Sequence, residues 1–527
     1  MTEKNWMTPP EPVPESMIAK TIHADIVILG GGIAGVAAAR AAAESGVSVS
    51  VLEKQREDRY EFFGGEMGSI NSRFLLDAGV EQMDPMDYVN EFQRLTTNRT
   101  NPELIRQFAF NSGETFDWFL EFLPQSFKDT LHIFAHPLPR HFTGEIGGVR
   151  NWNGSVIFRG KGTSWNDAMM LMVKRAKQLG ANFYFATTAE QIIKEWDRAT
   201  GVVAKDDEGN YIRFMAGKGV LIACGDFSRN KEMLADLMAE LVDIKGDAFN
   251  KFAGFGRDGD GQRMGIWAGG RMEPGPRAIM GGIGAGGAGP FGGTAFLRMN
   301  RYGRRFTNEA TWAAGYQGIR QPKGNIAVVW DSNWREELEY QAPDYGNVDT
   351  SHTENMARLE ADMKAVIGTG ADGGRVRDTY TTQSMPYTVY SADTPGELAD
   401  YLGYAEQTKK NFLATVKRYN ELADKGRDED FGKDARLMHA IVKPPFFGFV
   451  SRNDRPSFCQ VTLSGLVIDE NQNVLDKNDD PIPGLYATGN SSGGRYALSY
   501  FTPIAGNSIG MAMTLGRLVG MHIAKLK

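Results

Sequence analysis

The chain has 527 residues, with 58 Lys and Arg against 65 Asp and Glu, a net charge of −7 spread over its whole length. With 42% apolar, 23% charged and 11% aromatic residues, it has the balance of a globular enzyme with core for about two or three domains. That balance excludes a disordered chain and offers no basic surface for nucleic acid or an anionic membrane. Cys224 and Cys459 are the only cysteines, and the seven histidines are scattered. Disulfide frameworks, iron–sulfur clusters, haem attachment and metal sites therefore lose their support.

The first twenty residues carry Pro9, Pro10, Pro12 and Pro14 among acidic residues, which argues against a secretory signal and makes a cytoplasmic location the expectation. Residues 26–43 form a long apolar stretch, but three glycines and Arg40 interrupt it, so no membrane span is expected. It reads as strand, turn and helix. Ala24 to Leu29 has strand composition, Gly30-Gly31-Gly32-Ile33-Ala34-Gly35 follows, and an alanine-rich helix runs to about Ser45. This is GxGxxG in the context a dinucleotide site requires. Gly30 makes the tight turn, Gly32 admits a pyrophosphate, and Gly35 packs helix on strand, with the helix N-terminus facing the phosphate charge. A second strand, Val47 to Leu52, ends at Glu53, placed to accept bonds from a ribose diol. A glycine-rich turn without a ligand is the bland alternative.

Farther on, Gly64-Gly65-Glu66-Met67-Gly68-Ser69 is a second glycine turn, of use to a flavoprotein that wraps the diphosphate and ring but superfluous for NAD alone. Strands are expected at Phe183–Thr188, Gln191–Ile193 and Gly201–Ala204, with a hairpin over 206–210 and an apolar strand from Gly219 to Cys224. Residues 281–293 are rich in glycine, either a backbone wall closing on cofactor and substrate or a surface loop. Long amphipathic helices such as 395–424 follow, then the strand Gly484 to Asn490 and a last helix from Ile509 to about Lys525, opened by Asn507-Ser508. The N-terminal dipole of that helix is suited to the N1/O2 edge of a flavin, where anionic charge appears on reduction.

VILGGGIAG, ACGDF, DGDG at 258–261, GRRFTNE at 303–309, SGLVID at 464–469 and GLYATGN at 484–490 together resemble the flavoprotein subunit of the fumarate reductase and succinate dehydrogenase superfamily. The resemblance implies an α/β fold, α+β overall, in which a Rossmann-like FAD-binding domain is split into two sequence pieces around an inserted capping domain. The implied layout is an extension at 1–19, FAD-binding parts at 20–273 and 456–527, and a cap at 274–455. It implies FAD contacts from Gly30, Gly32, Ile33, Ala34 and Gly35, from Glu53 and Lys54, and from Gly64, Gly65 and Met67. Ala189, Ala223, Gly225 and Asp260 follow, then Gly489 and Asn490, then Asn507, Ser508 and Ile509. FAD is expected to be non-covalent, because no histidine occurs between Lys54 and Ile70, where succinate dehydrogenases attach it.

The charged catalytic positions of fumarate reductases are empty here. Ala313 stands where their proton-donating arginine does, 286–293 carry no charge, Cys459-Gln460-Val461-Thr462 lacks their histidine, and Thr502 to Asn507 lacks their last arginine. A dicarboxylate would have no counter-charge. Tyr500 and the run into Asn507 instead look similar to 3-oxosteroid dehydrogenases, closest in active-site texture. That likeness makes Tyr500 and the backbone of Gly506 candidates to polarise a carbonyl, and Tyr316 a candidate proton relay; each tyrosine could equally be a packing residue. Arg305 is either an active-site cation or a strut for the cap through Glu309. The expected activity is FAD-dependent hydride transfer between flavin N5 and a C=C/CH–CH bond conjugated to a carbonyl, on an oxosteroid, enone or aryl acrylate. The small-molecule substrate is expected to be neutral or mono-anionic, and electrons to come from or go to an external donor or acceptor. A flavin oxidase of the L-aspartate oxidase type and a non-catalytic electron-transfer subunit are the alternatives.

Overall fold

The apolar run around Ile26 belongs to β1 (Ile18–Leu29), which leads through the glycine turn into α1 (Ile33–Glu44) and on to β2 (Val49–Leu52). The computed structural model describes residues 5–238, 257–280, 289–310, 314–343, 347–378, 386–454 and 461–527. β1 and β2 are parallel, and their neighbours are Ala181–Tyr184 beyond β2 and Tyr211–Ile222 beyond β1. Arg198–Lys205 extends the sheet antiparallel to Tyr211–Ile222, and Thr188–Glu195 pairs antiparallel with Arg198–Lys205 at the edge. Pro481–Ala487, from the far end of the sequence, joins the same sheet parallel to it, with Val220 opposite Leu485 and Ile222 opposite Ala487. The central strands are buried on both faces, as Ile26, Val27, Ile28 and Leu29 demonstrate at 0% exposure.

Two helices cover one face. α1 and the C-terminal helix (Asn507–Lys525) approach closely because both present small residues. A Cβ on Gly516 would strike the Ala34 carbonyl, and one on Gly520 the Ala38 carbonyl. This contact fixes the start of the last helix relative to the glycine turn before α1.

A second, antiparallel sheet is drawn wholly from residues 297–452, in the order Leu297–Met299, Asn325–Trp330, Phe446–Arg452, Pro386–Ala392, Gly374–Arg377. Helices Thr353–Val366, Pro395–Tyr401 and Glu406–Lys425 accompany it. A short ribbon, Ile279–Met280 with Val461–Thr462, lies where the chain passes from one sheet to the other and back.

Three expectations about elements are corrected. β1 begins at Ile18, not Ala24, because Ile18 to Ala24 pair with Tyr211 to Ala216, a stretch buried on one face and partly exposed on the other. The expected strand Phe183–Thr188 stops at Tyr184, since Ala186 has φ 50° and breaks the pairing. The expected helix 395–424 is two helices, separated around Gly403, whose φ of 83° no helix interior tolerates. Of the glycine-rich run, 281–288 lie outside the described residues. Gly289 to Gly292 are buried, with Gly289 against the ring of Phe449, so that part is packing inside the second sheet's core.

Candidate cofactor and substrate site

A cavity of about 410 Å³ opens where β1, β2 and α1 meet the start of the C-terminal helix, a size usual for small-molecule and cofactor sites. The glycine turn shapes its floor. Gly30 has φ 100°, and a Cβ there would collide with the backbone of Ala223. A Cβ on Gly35 would strike the Gly30 carbonyl, so glycine is required for helix and strand to close. Gly32 differs: nothing lies within 4 Å of where its Cβ would be. It is the N-cap of α1 with no side-chain cap bond, so the first amides of the helix are left for whatever enters the cavity.

Glu53 ends β2 and is 7% exposed. Its two carboxylate oxygens accept from Gly31 N and Gln55 N, each at 2.7 Å, and each keeps a further lone pair for a ligand. Burial raises its pKa, against those amides and the charge of Lys54. Lys54 binds Asp258 and Asp260 at 3.0 and 3.1 Å; burial works against its charge, but Asp260 and Asp258 hold its pKa above the ordinary value. Cys224 also lines the cavity, and burial pushes its thiol far up, so it is no nucleophile.

Of the residues singled out from sequence, Gly30, Gly32, Ile33, Ala34, Glu53, Lys54, Gly64, Gly65, Ala189, Ala223, Gly225, Asp260, Gly489, Asn490, Ser508 and Ile509 line this one cavity, together with Tyr500 and Gly506. Gly35 acts beneath it through packing. Met67 turns into the core with Trp165 and Phe116, and Asn507 holds the helix start by donating to Phe501 O at 2.9 Å and Tyr88 Oη at 3.2 Å; neither is on the cavity wall. Arg305 is a correction to its reading as an active-site cation. It binds Glu309 and Asp428, each at 2.8 Å, is absent from the described wall, and serves as the strut. Tyr316 lies in the short helix Ala314–Ile319, and its side chain, like Ala313, Cys459 and Gln460, lies outside what is described.

The wall also has members that sequence reasoning passed over: Phe62, Glu66, Arg159, Thr187, Thr188, Asp226, Arg257, Met280 and Val461. Thr187 lies within the expected strand Phe183–Thr188, and its N–H donates to Glu53 O at 3.0 Å. Arg495 is hidden behind the wall at 1% exposure and donates to Gly489 O at 2.7 Å and Asn490 Oδ1 at 3.1 Å. Gln262 Nε2 ties Gly225 O and Asn490 O together at 3.0 and 3.1 Å. These bonds lock the two turns that both sequence ends contribute.

At the other end Gly506 caps the C-terminal helix with φ 72° and no side-chain cap bond. Gly506 O accepts from Gly68 N at 2.9 Å, which anchors the second glycine turn. Two uncapped helix N-termini, an open Cβ position at Gly32 and a buried carboxylate at the second strand's end fit a dinucleotide with a diphosphate at α1.

Comparison with known proteins agrees. The family described as FAD binding domain matches residues 25–509. Vinyl phenol reductase of Lactiplantibacillus plantarum is 26% identical over 536 residues, covering 96% of this chain and 98% of that protein. NADH:fumarate oxidoreductase of Klebsiella pneumoniae is 25% identical; the match covers 95% of this chain and 48% of that protein, so this chain spans about half its length. Among solved structures, 3-ketosteroid-Δ4-(5α)-dehydrogenase of Rhodococcus jostii, in complex with 4-androstene-3,17-dione, superposes with a TM-score of 0.68 at 21% identity. That match covers 98% of this chain and 100% of that one, a likeness of fold.

Proposed function

The chain belongs to the FAD binding domain family, and on that premise we propose that this FAD-dependent oxidoreductase adds or removes hydrogen across a C=C/CH–CH bond activated by a conjugated carbonyl or phenol, on a neutral or mono-anionic substrate. The observation that carries the reading is the wall at the start of the C-terminal helix. Tyr500 and the Gly506 backbone stand there beside Met280 and Val461, which are paired across the short ribbon. A neutral phenol and an apolar ribbon suit an enone or aryl alkene, and the cations on the cavity wall, Lys54, Arg159 and Arg257, each already face a carboxylate of the chain, Asp258 and Asp260, Glu66, and Asp226 respectively. The vinyl phenol reductase likeness supports an aryl-conjugated substrate, and the non-covalent mode of binding remains part of the proposal.

Bound FAD supplies and takes back hydride. The chain's own residues bind, orient and polarise. Tyr500, 8% exposed with its ring 5.4 Å from that of Tyr496, donates its hydroxyl to the substrate oxygen, where charge develops. The amides and dipole of the C-terminal helix, beginning at Gly506, favour negative charge at their end of the cavity. Met280 and Val461 exclude water from the same wall. Electrons come from a separate donor or pass to a separate acceptor. Among the described residues no helix is long and apolar enough to cross a membrane.

The test mixes photoreduced holoenzyme anaerobically with enones, aryl acrylates, vinyl phenols, fumarate and, separately, oxygen, following flavin reoxidation by absorbance. Rapid reoxidation by an activated alkene and none by fumarate supports the reading. Reoxidation by fumarate, or by oxygen alone, refutes it.

A further inference from the structure

Two charged residues on the cavity wall, Glu66 and Arg159, have no part in that reading. Glu66 begins the strand β3 (Glu66–Gly68), whose register sets it opposite Ile157 of the strand Ser155–Ile157. On the other edge of that strand His132 is also opposite Ile157. Residues in register across antiparallel strands share a face, so Glu66 and His132 stand on one face about 10 Å apart, two strand spacings. Arg159 comes two residues after Ile157, and its charge acts on both Glu66 and His352. His132 Nε2 lies 2.7 Å from Asp349 Oδ2, and its ring meets His352 edge-on at 4.7 Å. The other Asp349 oxygen accepts from Ser351 Oγ at 2.6 Å. Glu66 on the cavity wall and the His132–Asp349–His352 cluster thus flank Ile157 on one face of this small sheet, with His132 28% exposed.

Glu66 sits beside the start of the C-terminal helix. A Cβ on Gly506 would come within 3.0 Å of Glu66 Cγ. Among the described residues Arg159 is the group whose charge acts on its carboxyl, and burial raises that carboxyl to about 7 against the pull of Arg159. The other titratable groups on the wall are Tyr500 before the C-terminal helix, Glu53 and Lys54 after β2, Glu61, Cys224, Asp226 and Arg257, and Asp260 at the start of its own helix.

We propose that Glu66 is the acid–base group that exchanges the substrate proton, poised by Arg159 and resupplied from solvent through His132, Asp349 and His352. The proposal rests on the function argued above. In the reducing direction the β-carbon receives hydride and the π-electron pair moves toward the carbonyl. The Glu66 O–H bond breaks, its proton forms the new C–H bond at the α-carbon, and the carboxylate regains a proton from water by way of the histidine cluster. Dehydrogenation runs the same transfers backwards. A carboxyl poised near neutrality suits both directions better than a phenol of ordinary pKa near 10.

The experiment uses holoenzyme and the variants Glu66→Gln, Arg159→Gln and His132→Asn. The protonated-carboxyl infrared band is followed from about pH 5 to 9, alongside the pH profile of alkene reduction. In wild type the band titrates with a midpoint of about 7 and vanishes in Glu66→Gln. Reduction needs the protonated form, so its rate falls as pH rises through the same value. Glu66→Gln lowers the rate about 10²-fold or more and loses that limb. Because Arg159 holds the carboxyl down, Arg159→Gln moves band and limb upward together, a shift that a purely structural arginine would not produce. His132→Asn slows turnover and enlarges the solvent deuterium effect, with the midpoint unmoved.

A Glu66→Gln enzyme of wild-type rate and pH profile overturns the proposal. So does a limb unmoved in Arg159→Gln, and an unchanged solvent effect in His132→Asn removes the supply route. If no alkene is reduced, the function has failed, and the infrared titration, which needs no substrate, still decides whether Glu66 carries the proton.

Discussion

Gly32→Val separates what the glycine turn does for the fold from what it does for the cofactor. Gly32 has φ −70° and ψ −175°, extended backbone that valine adopts readily. No protein atom lies within 4 Å of the added Cβ. The stiffer unfolded chain favours the variant while valine is a poorer N-cap than glycine, and these offset to within about 1 kcal/mol. The isopropyl group instead fills the space before the first amides of α1. Losing two charge-assisted bonds from those amides to a diphosphate, at about 1.5–3 kcal/mol each, weakens FAD by roughly 10²–10⁴-fold. The assay pairs flavin absorbance after reconstitution with thermal unfolding of the apoprotein. The expected result is a colourless protein that melts like wild-type apoprotein. Gly35→Ala is the converse control, since its Cβ would strike the Gly30 carbonyl, and it should lower the apoprotein melting temperature. A Gly32→Val protein that binds FAD with wild-type affinity refutes the placement of the diphosphate.

Glu53→Ala should weaken FAD by about 1–3 kcal/mol, and should also lower apoprotein stability, because Gly31 N and Gln55 N lose their acceptor; calorimetric titration and melting separate the two effects. Tyr500→Phe keeps the ring against Tyr496 and is expected to retain FAD while turnover falls about 10²-fold, so turnover within a few-fold of wild type would remove the hydroxyl from the mechanism. Arg305→Ala takes the guanidinium from Glu309 and Asp428, 1% and 5% exposed, leaving Glu309 to Lys433 at 3.5 Å and Asp428 to backbone amides, and should destabilise the protein by about 1–3 kcal/mol in denaturant titration. Burial alone would raise Asp428, yet bonding to Arg305 holds its pKa below the ordinary value. The stability it contributes is therefore present above about pH 4 and lost as pH falls through the lower folded value. Arg305→Ala should lose part of that acid limb, and a limb unchanged from wild type would contradict the assignment.

The dinucleotide end of the site was legible because its logic is local. Strand, glycines, helix, strand and Glu53 follow one another within about thirty residues, and each glycine answers a clash or an opening beside it. The assignment of Tyr500 and Gly506 to the end where we propose the alkene binds rests on resemblance alone, since nothing in their spacing says what faces them. The break at Gly403 escaped because helical periodicity continues on both sides, and only the positive φ ends the helix. Glu66 and Arg159 escaped for a different reason. They are separated by ninety-three positions, 66 to 159, and neither stands in a charged cluster of the sequence. What joins them is the pairing of three two- or three-residue strands too short to leave an alternating pattern. Sequence patterning registers burial, and a carboxyl beside two glycines reads as a turn. Only the register that sets Glu66 and His132 against the same Ile157 places that carboxyl on the face that carries His132.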